Sequence, residues 1–227
     1  MRVYVCDVHV CMREREFKYF IFYDAKRFCL VLSRCTLFHI LGAPLIAIVA
    51  LLGLSVDMNT NSHSIEELDK IDGDATAILL WIRDKMEYLK SSRPTAVNLA
   101  NALQELDKAM EEAIKNMSST TTTKEVLCKV VLDYSEFMLE RDVNDNKAIG
   151  KFGAEAILKK TGKDKISLVT ICNTGSLATA GYGTALGVAR SLQKMEKLES
   201  ISALGMYCMY CMVSHSSSIR CHCFLLF

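Results

Sequence analysis

The stretch from Ile166 to Leu192 limits the folds open to this chain more than any other. Ile166–Ile171 (ISLVTI) follows the turn signal Thr161-Gly162-Lys163-Asp164 and is mostly apolar or β-branched, the pattern of a buried strand in a parallel sheet. Cys172 stands at the carboxyl end of that strand. A turn rich in Gly, Ser and Thr follows, and Ala185, Leu186, Ala189, Leu192 and Met195 then recur at helical spacing. Strand, glycine-rich loop and helix in that order predict an α/β chain, because a parallel strand reaches its neighbour through a crossover that is usually a helix.

Such a unit has chemical consequences. In open α/β sheets, ligands bind beyond the carboxyl ends of the strands. The first turn of the helix leaves N–H groups unpaired and carries about half a positive charge, so an anion is favoured there. A thiol in the same place titrates below its ordinary value of about 8.5. Cys172 is therefore a candidate reactive thiol, although the same pattern suits a buried structural cysteine in an ordinary strand-to-helix turn. Gly175, Gly181, Gly183 and Gly187 either admit a ligand close to the backbone or let the helix pack on the sheet.

The residues Cys172-Asn173-Thr174-Gly175-Ser176-Leu177-Ala178-Thr179-Ala180-Gly181-Tyr182-Gly183-Thr184-Ala185-Leu186-Gly187 resemble the signature of the methylthioribose-1-phosphate isomerases, within the initiation factor 2B alpha/beta/delta-like family. Three more stretches agree with that family in order and spacing: Gly42-Ala43-Pro44 with Ile46-Ala47-Ile48, Ser92-Arg93-Pro94-Thr95-Ala96-Val97-Asn98, and Asp145-Asn146 with Ile149-Gly150 and Gly153-Ala154. The resemblance covers about residues 37 to 200. Regulatory subunits of the translation initiation guanine-nucleotide exchange factor share the fold, but Cys172-Asn173-Thr174-Gly175 together with Arg93-Pro94-Thr95 resembles the isomerase branch more closely.

The resemblance implies an N-terminal helical domain followed by the start of a Rossmann-like doubly wound parallel sheet. It implies an aldose–ketose isomerase of methionine salvage, converting 5-methylthioribose 1-phosphate to 5-methylthioribulose 1-phosphate. Cys172 would be the catalytic proton-transfer group, and Gly42, Ala43 and Arg93 would bind substrate, with no metal and no cofactor. A sugar phosphate as ligand, a homodimer, and a cytoplasmic or nuclear location are implied as well. Two features depart from the family. Its arginine ahead of Gly42 is Leu41 here, and its catalytic aspartate and later asparagine-lysine pair have no counterpart in this sequence. Poor turnover by this chain alone is therefore expected. A non-catalytic regulatory or initiation-factor-like subunit, or an inactive remnant of the fold, stands as the alternative.

Composition narrows the classes. With 51% apolar residues in 227, the chain can bury a real core. A formal charge of +1, with Lys and Arg interspersed among Asp and Glu, argues against a nucleic-acid partner. The ten cysteines crowd toward the two ends, and the opening residues lack the basic start and apolar run of a signal peptide, so free thiols in a reducing compartment are expected. Ile40–Val56 is uncharged throughout, close to the short limit for crossing about 30 Å of hydrocarbon. Pro44 near a helix start, with Leu45, Ile48, Val49 and Leu52 as a stripe, favours a buried core helix and no membrane.

In chain order, residues 1–36 form an unreadable lead-in, 37–145 a helical domain, 146–200 the first part of the sheet domain and 201–227 a divergent tail. Ser64 and Glu67 stand at capping-box spacing, predicting a helix from near Ile65. Ala75, Ile78, Leu79, Ile82, Met86 and Leu89 mark the next helix, off whose stripe Trp81 lies as a packing residue. Pro94 fits the first turn of a helix carrying Ala96, Leu99, Leu103, Leu106 and Met110. That would set the Arg93 cation at a helix start, where the dipole favours anions, and suggests an anion shared between them. Leu127, Val130, Val131, Tyr134 and Met138 form a further stripe. Asp142–Asn146 lacks the glycine and glutamate of a calcium loop and reads as the cap of a helix from Ile149 to Lys160. Cys208-x-x-Cys211 and Cys221-His222-Cys223 are poorly spaced for one tetrahedral ion, so no metal site is expected.

Overall fold

A computed structural model describes residues 42–117, 121–171, 179–204 and 220–224. They fall into two compact units that divide between Glu140 and Arg141. The described residues make a mostly helical α/β protein with a small parallel sheet.

The first unit is helical. Helix α1 (Ala43–Thr60) starts from the Gly42 cap with Pro44 in its first turn, where the missing N–H costs no hydrogen bond. It is buried nearly all round, from Leu45 through Leu52 and again at Leu54 and Met58, so it forms the centre of the unit. No single described helix is long and apolar enough to cross a membrane. Helix α2 (Ser62–Lys70) begins three residues before the expected Ile65, with Asn61 as the cap that accepts from His63 N–H at 3.2 Å. Ser64 serves no capping box. Its hydroxyl donates at 2.7 Å to the buried Asp57 carboxylate of α1, and Glu67 accepts the Trp81 indole N–H at 3.0 Å. That bond holds the Glu67 carboxyl below its usual range and explains why Trp81 sits off the apolar stripe.

Helix α3 (Ala75–Ser92) is capped by Asp74, which accepts from Thr76 and Ala77 N–H, and it buries Ile78, Ile82, Met86 and Leu89. Helix α4 (Val97–Lys115) buries Leu99, Ala102, Leu103, Leu106 and Met110. The expected faces of both helices are present. An Arg83 fork clamps the pair: Nε donates to Asp107 Oδ1 at 2.7 Å, and Nη2 donates to Asp107 Oδ2 at 3.1 Å and to Glu111 at 2.6 Å. Pro94 is not in the first turn of α4. It lies in a tight turn closed by Ala96 N–H on the Arg93 carbonyl at 2.9 Å, and Ala96 is the cap of the helix that follows.

Helix α5 (Thr123–Thr161) runs through both units without a break. Asp142–Asn146 therefore caps nothing: apolar spacing carries the helix on through this acidic run, and its first half buries Leu127, Val131, Ser135 and Leu139. In the second unit α5 is followed by β1 (Ile166–Ile171), α6 (Ala185–Lys194), β2 (Leu198–Leu204) and β3 (Arg220–Phe224). The strands lie in the order β1-β2-β3, all parallel. The boundary expected at residue 200 thus falls inside β2, and part of the expected tail forms the third strand. Ala154 of α5, Leu186, Ala189 and Leu192 of α6, and Ile166, Leu198 and Ile201 of the sheet make one apolar cluster, so both helices cover the same sheet face. The opposite face of β1 is open. Val169 is 72% and Ile171 62% exposed, so the strand expected to be buried is covered on one side only.

Leu106 is fully buried, so Leu106→Ala should lower the stability of the helical unit by about 2–5 kcal/mol in urea unfolding followed by circular dichroism. Leu80→Ala, at a site 59% exposed, should stay within about 0.5 kcal/mol of the parent.

Candidate functional site

The candidate groups fall in both units. In the first, Gly42 is buried at the start of α1 with φ −80° and ψ 128°, and its carbonyl accepts from Ile46 N–H at 3.0 Å. Among the described residues no side chain makes a capping hydrogen bond at this end. Ala43 is the first helical residue. Arg93 lies elsewhere from where spacing suggested: it is the C-terminal cap of α3, with its own N–H on the Lys90 carbonyl at 3.3 Å, and α4 starts at Val97. A helix C-terminus presents carbonyls and partial negative charge, which suits a guanidinium. The argument for an anion shared between Arg93 and a helix start falls with that placement, while Arg93 remains a half-buried cation in the unit that also holds Gly42 and Ala43.

In the second unit, Cys172 lies within residues 172–178, outside the described residues. What is described is the rest of its signature, Thr179–Gly187, and this is held by an array of side chains. Thr179, 1% exposed, accepts from Gly183 N–H at 2.9 Å through its hydroxyl. Asp142 of α5 accepts from Ala180 N–H at 2.6 Å. Arg190 of α6 donates back to the carbonyls of Gly181 and Tyr182, and the Tyr182 hydroxyl is 3.1 Å from that of Ser191. Gly181 and Gly183 have φ of 139° and 80°, conformations that side chains resist.

Below this loop two helices approach with no room for side chains. A Cβ on Gly150 of α5 would lie 2.8 Å from the Gly187 carbonyl oxygen, the Ser191 hydroxyl and the Tyr182 ring alike, and one on Gly153 would lie 2.7 Å from Val188. Gly150 and Gly153 thus set helix against helix.

Burial pushes the Asp142 carboxyl upward, and the hydrogen bonds from Ala180 N–H and the Asn146 amide oppose that rise. Asn146 is 3% exposed. Its amide donates to the Asp142 carbonyl at 2.7 Å, and its Oδ1 is the one buried side-chain oxygen or nitrogen among the described residues with no hydrogen-bond partner there. Sequence reasoning missed Asp142 and Asn146 as parts of this arrangement. Their four-residue spacing places them on one helix face, but their partner Ala180 is remote in sequence. Among the described residues no cluster of His, Cys, Asp and Glu could hold a metal ion.

Residues 39–204 match the profile of the Initiation factor 2 subunit family. The methylthioribose-1-phosphate isomerase of Paracoccidioides brasiliensis is 43% identical over 173 residues, covering 71% of this chain and 44% of the relative. Among solved structures, 5-methylthioribose 1-phosphate isomerase from Pyrococcus horikoshii is similar at 25% identity and TM-score 0.62, over 85% of this chain and 51% of that one. The translation initiation factor eIF-2B subunit delta from A. fulgidus shares the fold at 23% identity and TM-score 0.60, over 88% of this chain and 54% of that one. The chain spans less than half the length of the curated relatives it matches.

Gly150→Ala should destabilise the protein by about 1–3 kcal/mol, since the new methyl meets a backbone oxygen that cannot give way. Thermal unfolding against the parent checks this.

Proposed function

From a chain that belongs to the Initiation factor 2 subunit family, we propose the activity of its isomerase branch: conversion of 5-methylthioribose 1-phosphate to 5-methylthioribulose 1-phosphate, an aldose–ketose isomerisation in methionine salvage. The carrying observation is the likeness to the isomerases of several fungi at 41–45% identity, through the Cys172 signature whose Thr179–Gly187 part the second unit holds by side-chain and glycine contacts. In this reading the sheet is the opening of a Rossmann-like doubly wound domain, for which three parallel strands and a helical crossover are the support.

The reaction opens a sugar ring and moves a proton between neighbouring carbons while keeping the anomeric phosphate. It needs a proton-transfer group, hydrogen bonds on the developing charge and a hold on the phosphate. Cys172 is assigned the proton transfer, and Arg93, with the backbone at Gly42 and Ala43, the substrate. Leu41 in place of arginine removes one charge-assisted contact, worth about 1.5–3 kcal/mol. No cofactor or metal enters this scheme. The family likeness is what supports a cytoplasmic location, with the nucleus as a second one, and a homodimer in a full-length form.

The A. fulgidus subunit delta, similar in fold, supports a second reading as a non-catalytic subunit, and Leu41 favours it too. A chimaera separates the two. This chain is joined after Leu204 to the part of the Paracoccidioides brasiliensis isomerase that lies beyond the match, and ketose formation from the aldose phosphate is followed. The isomerase reading expects turnover by the chimaera, at least about a hundredfold less by the 227-residue chain alone, and at least about a hundredfold loss on Cys172→Ser in the chimaera, each about 2.7 kcal/mol of barrier. A folded chimaera that is inactive leaves the non-catalytic reading, and an active one indifferent to Cys172→Ser removes the proton-transfer role of Cys172.

A further inference from the structure

We propose that the outer face of α5 from Asp145 to Lys159 is the contact surface for a second copy of this chain, laid antiparallel to the first about a two-fold axis at Phe152. The proposal does not rest on the isomerase reading, since neither substrate nor turnover enters it. In the second unit α5 spends one face on its own fold: Gly150 and Gly153 meet α6, and Ala154, Ile157 and Leu158 pack into the apolar cluster on the sheet. The face turned away carries Ala148, Ile149, Phe152 and Ala156, all exposed, with Ile149 at 48% and Phe152 at 63%. Lys151 Nζ stands 5.6 Å from the Phe152 ring centroid, a contact within the same helix that leaves most of the ring open to water. Apolar residues three and four apart on one helix face make a continuous patch, and such patches mark contact sites.

The charges at the two ends of this face say what covers it. Asp145 lies seven residues before Phe152 and Lys159 seven residues after it, so the three share one line along the helix at two-turn intervals. A second α5, run antiparallel with Phe152 against Phe152, sets Asp145 against the partner's Lys159 at both ends of the seam. Between them Ala148 meets the partner's Ala156 and Ile149 meets the partner's Glu155, so no like charges face one another, and the small alanines let the helices close on the central rings. The same faces laid parallel and in register would put Asp145 on Asp145 and Lys159 on Lys159. The charge order therefore selects the antiparallel pair. At home the Asp145 carboxylate is 3.6 Å from Arg141 Nε with both side chains more than half exposed, a loose pair with room for a second cation. A seam of about four turns buries less than about 1,200 Å², which makes the pairing a weak one.

Sedimentation equilibrium of the 227-residue chain at low salt, from about 10 to about 500 µM, should show monomer and dimer in exchange. Phe152→Ser should weaken the dimer at least about tenfold, while Val169→Ser, on the open face of β1, should leave it within about twofold of the parent. Asp145→Lys or Lys159→Asp alone brings like charges together twice per dimer and should weaken it at least about tenfold; the two combined should return it to within about threefold. A second measurement locates the seam on the parent and decides if a variant does not fold. Asp145 and Lys159 of one helix are fourteen residues and about 21 Å apart, so a zero-length carbodiimide cross-link between them, read by mass spectrometry, can only join two chains. That cross-link, with the charge rescue, supports the proposal. It is overturned by a chain still monomeric at about 500 µM, by a dimer indifferent to Phe152→Ser or weakened by Val169→Ser, by a double charge variant no better than the single ones, or by a dimer without the Asp145–Lys159 cross-link.

Discussion

The second unit depends on the near-contact of two helices through missing side chains. Gly150 and Gly153 on α5 face Gly187, Val188 and Ser191 on α6, and the Tyr182 ring fills the space beside them. Because no Cβ intervenes, α5 comes close to α6, and Asp142, about two turns back from Gly150 along the same helix, reaches the loop that leads into α6. Close packing of this kind has few alternatives, since a shift of either helix would bring backbone into backbone. The loop is thus positioned by helix packing as much as by its own hydrogen bonds.

How much of this was legible in the sequence differed by kind of signal. Apolar periodicity gave the helical faces well, because burial of a stripe is what stabilises a helix in a folded chain: Ile78, Ile82, Met86 and Leu89 on α3 and Leu99, Leu103, Leu106 and Met110 on α4 are buried as spacing predicts. The β1 strand kept its expected bounds for a related reason, a short β-branched run after a glycine turn. Helix ends were read less well. Ser64 and Glu67 have capping-box spacing, yet one binds Asp57 and the other Trp81, tertiary partners that no local rule contains. Pro94 suggested a first helical turn and instead closes the turn ahead of one, which moved Arg93 from a positive helix end to a negative one.

The candidate site shows the same division. Gly42, Ala43, Arg93 and Cys172 were named as candidates through family likeness, a signal of sequence order, and three of them lie within the described residues of one unit. Asp142 and Asn146 were read as a helix cap because a run of Asp and Asn normally competes with helical hydrogen bonding. In the structure the helix passes through them: the Asn146 amide donates to the Asp142 carbonyl, the Asp142 carboxylate accepts from Ala180 N–H, and the Asn146 Oδ1 has no partner among the described residues. A contact between residues so far apart in the chain leaves no trace in periodicity or spacing.

The sheet itself supplies a last constraint. A parallel strand is ordinarily covered on both faces, since its connections are helices that must lie somewhere on it. Here α5 and α6 both pack on the face that carries Ile166, Leu198 and Ile201, while Val169 and Ile171 on the other side of β1 stay open. The crossover from β1 through α6 to its immediate neighbour β2 can cover only one face, so nothing in that connection could protect the second. Two exposed β-branched residues on an edge strand invite pairing with another chain, a hazard that long parallel sheets escape by covering their faces and edges. The relatives are more than twice as long as the stretch they share with this chain.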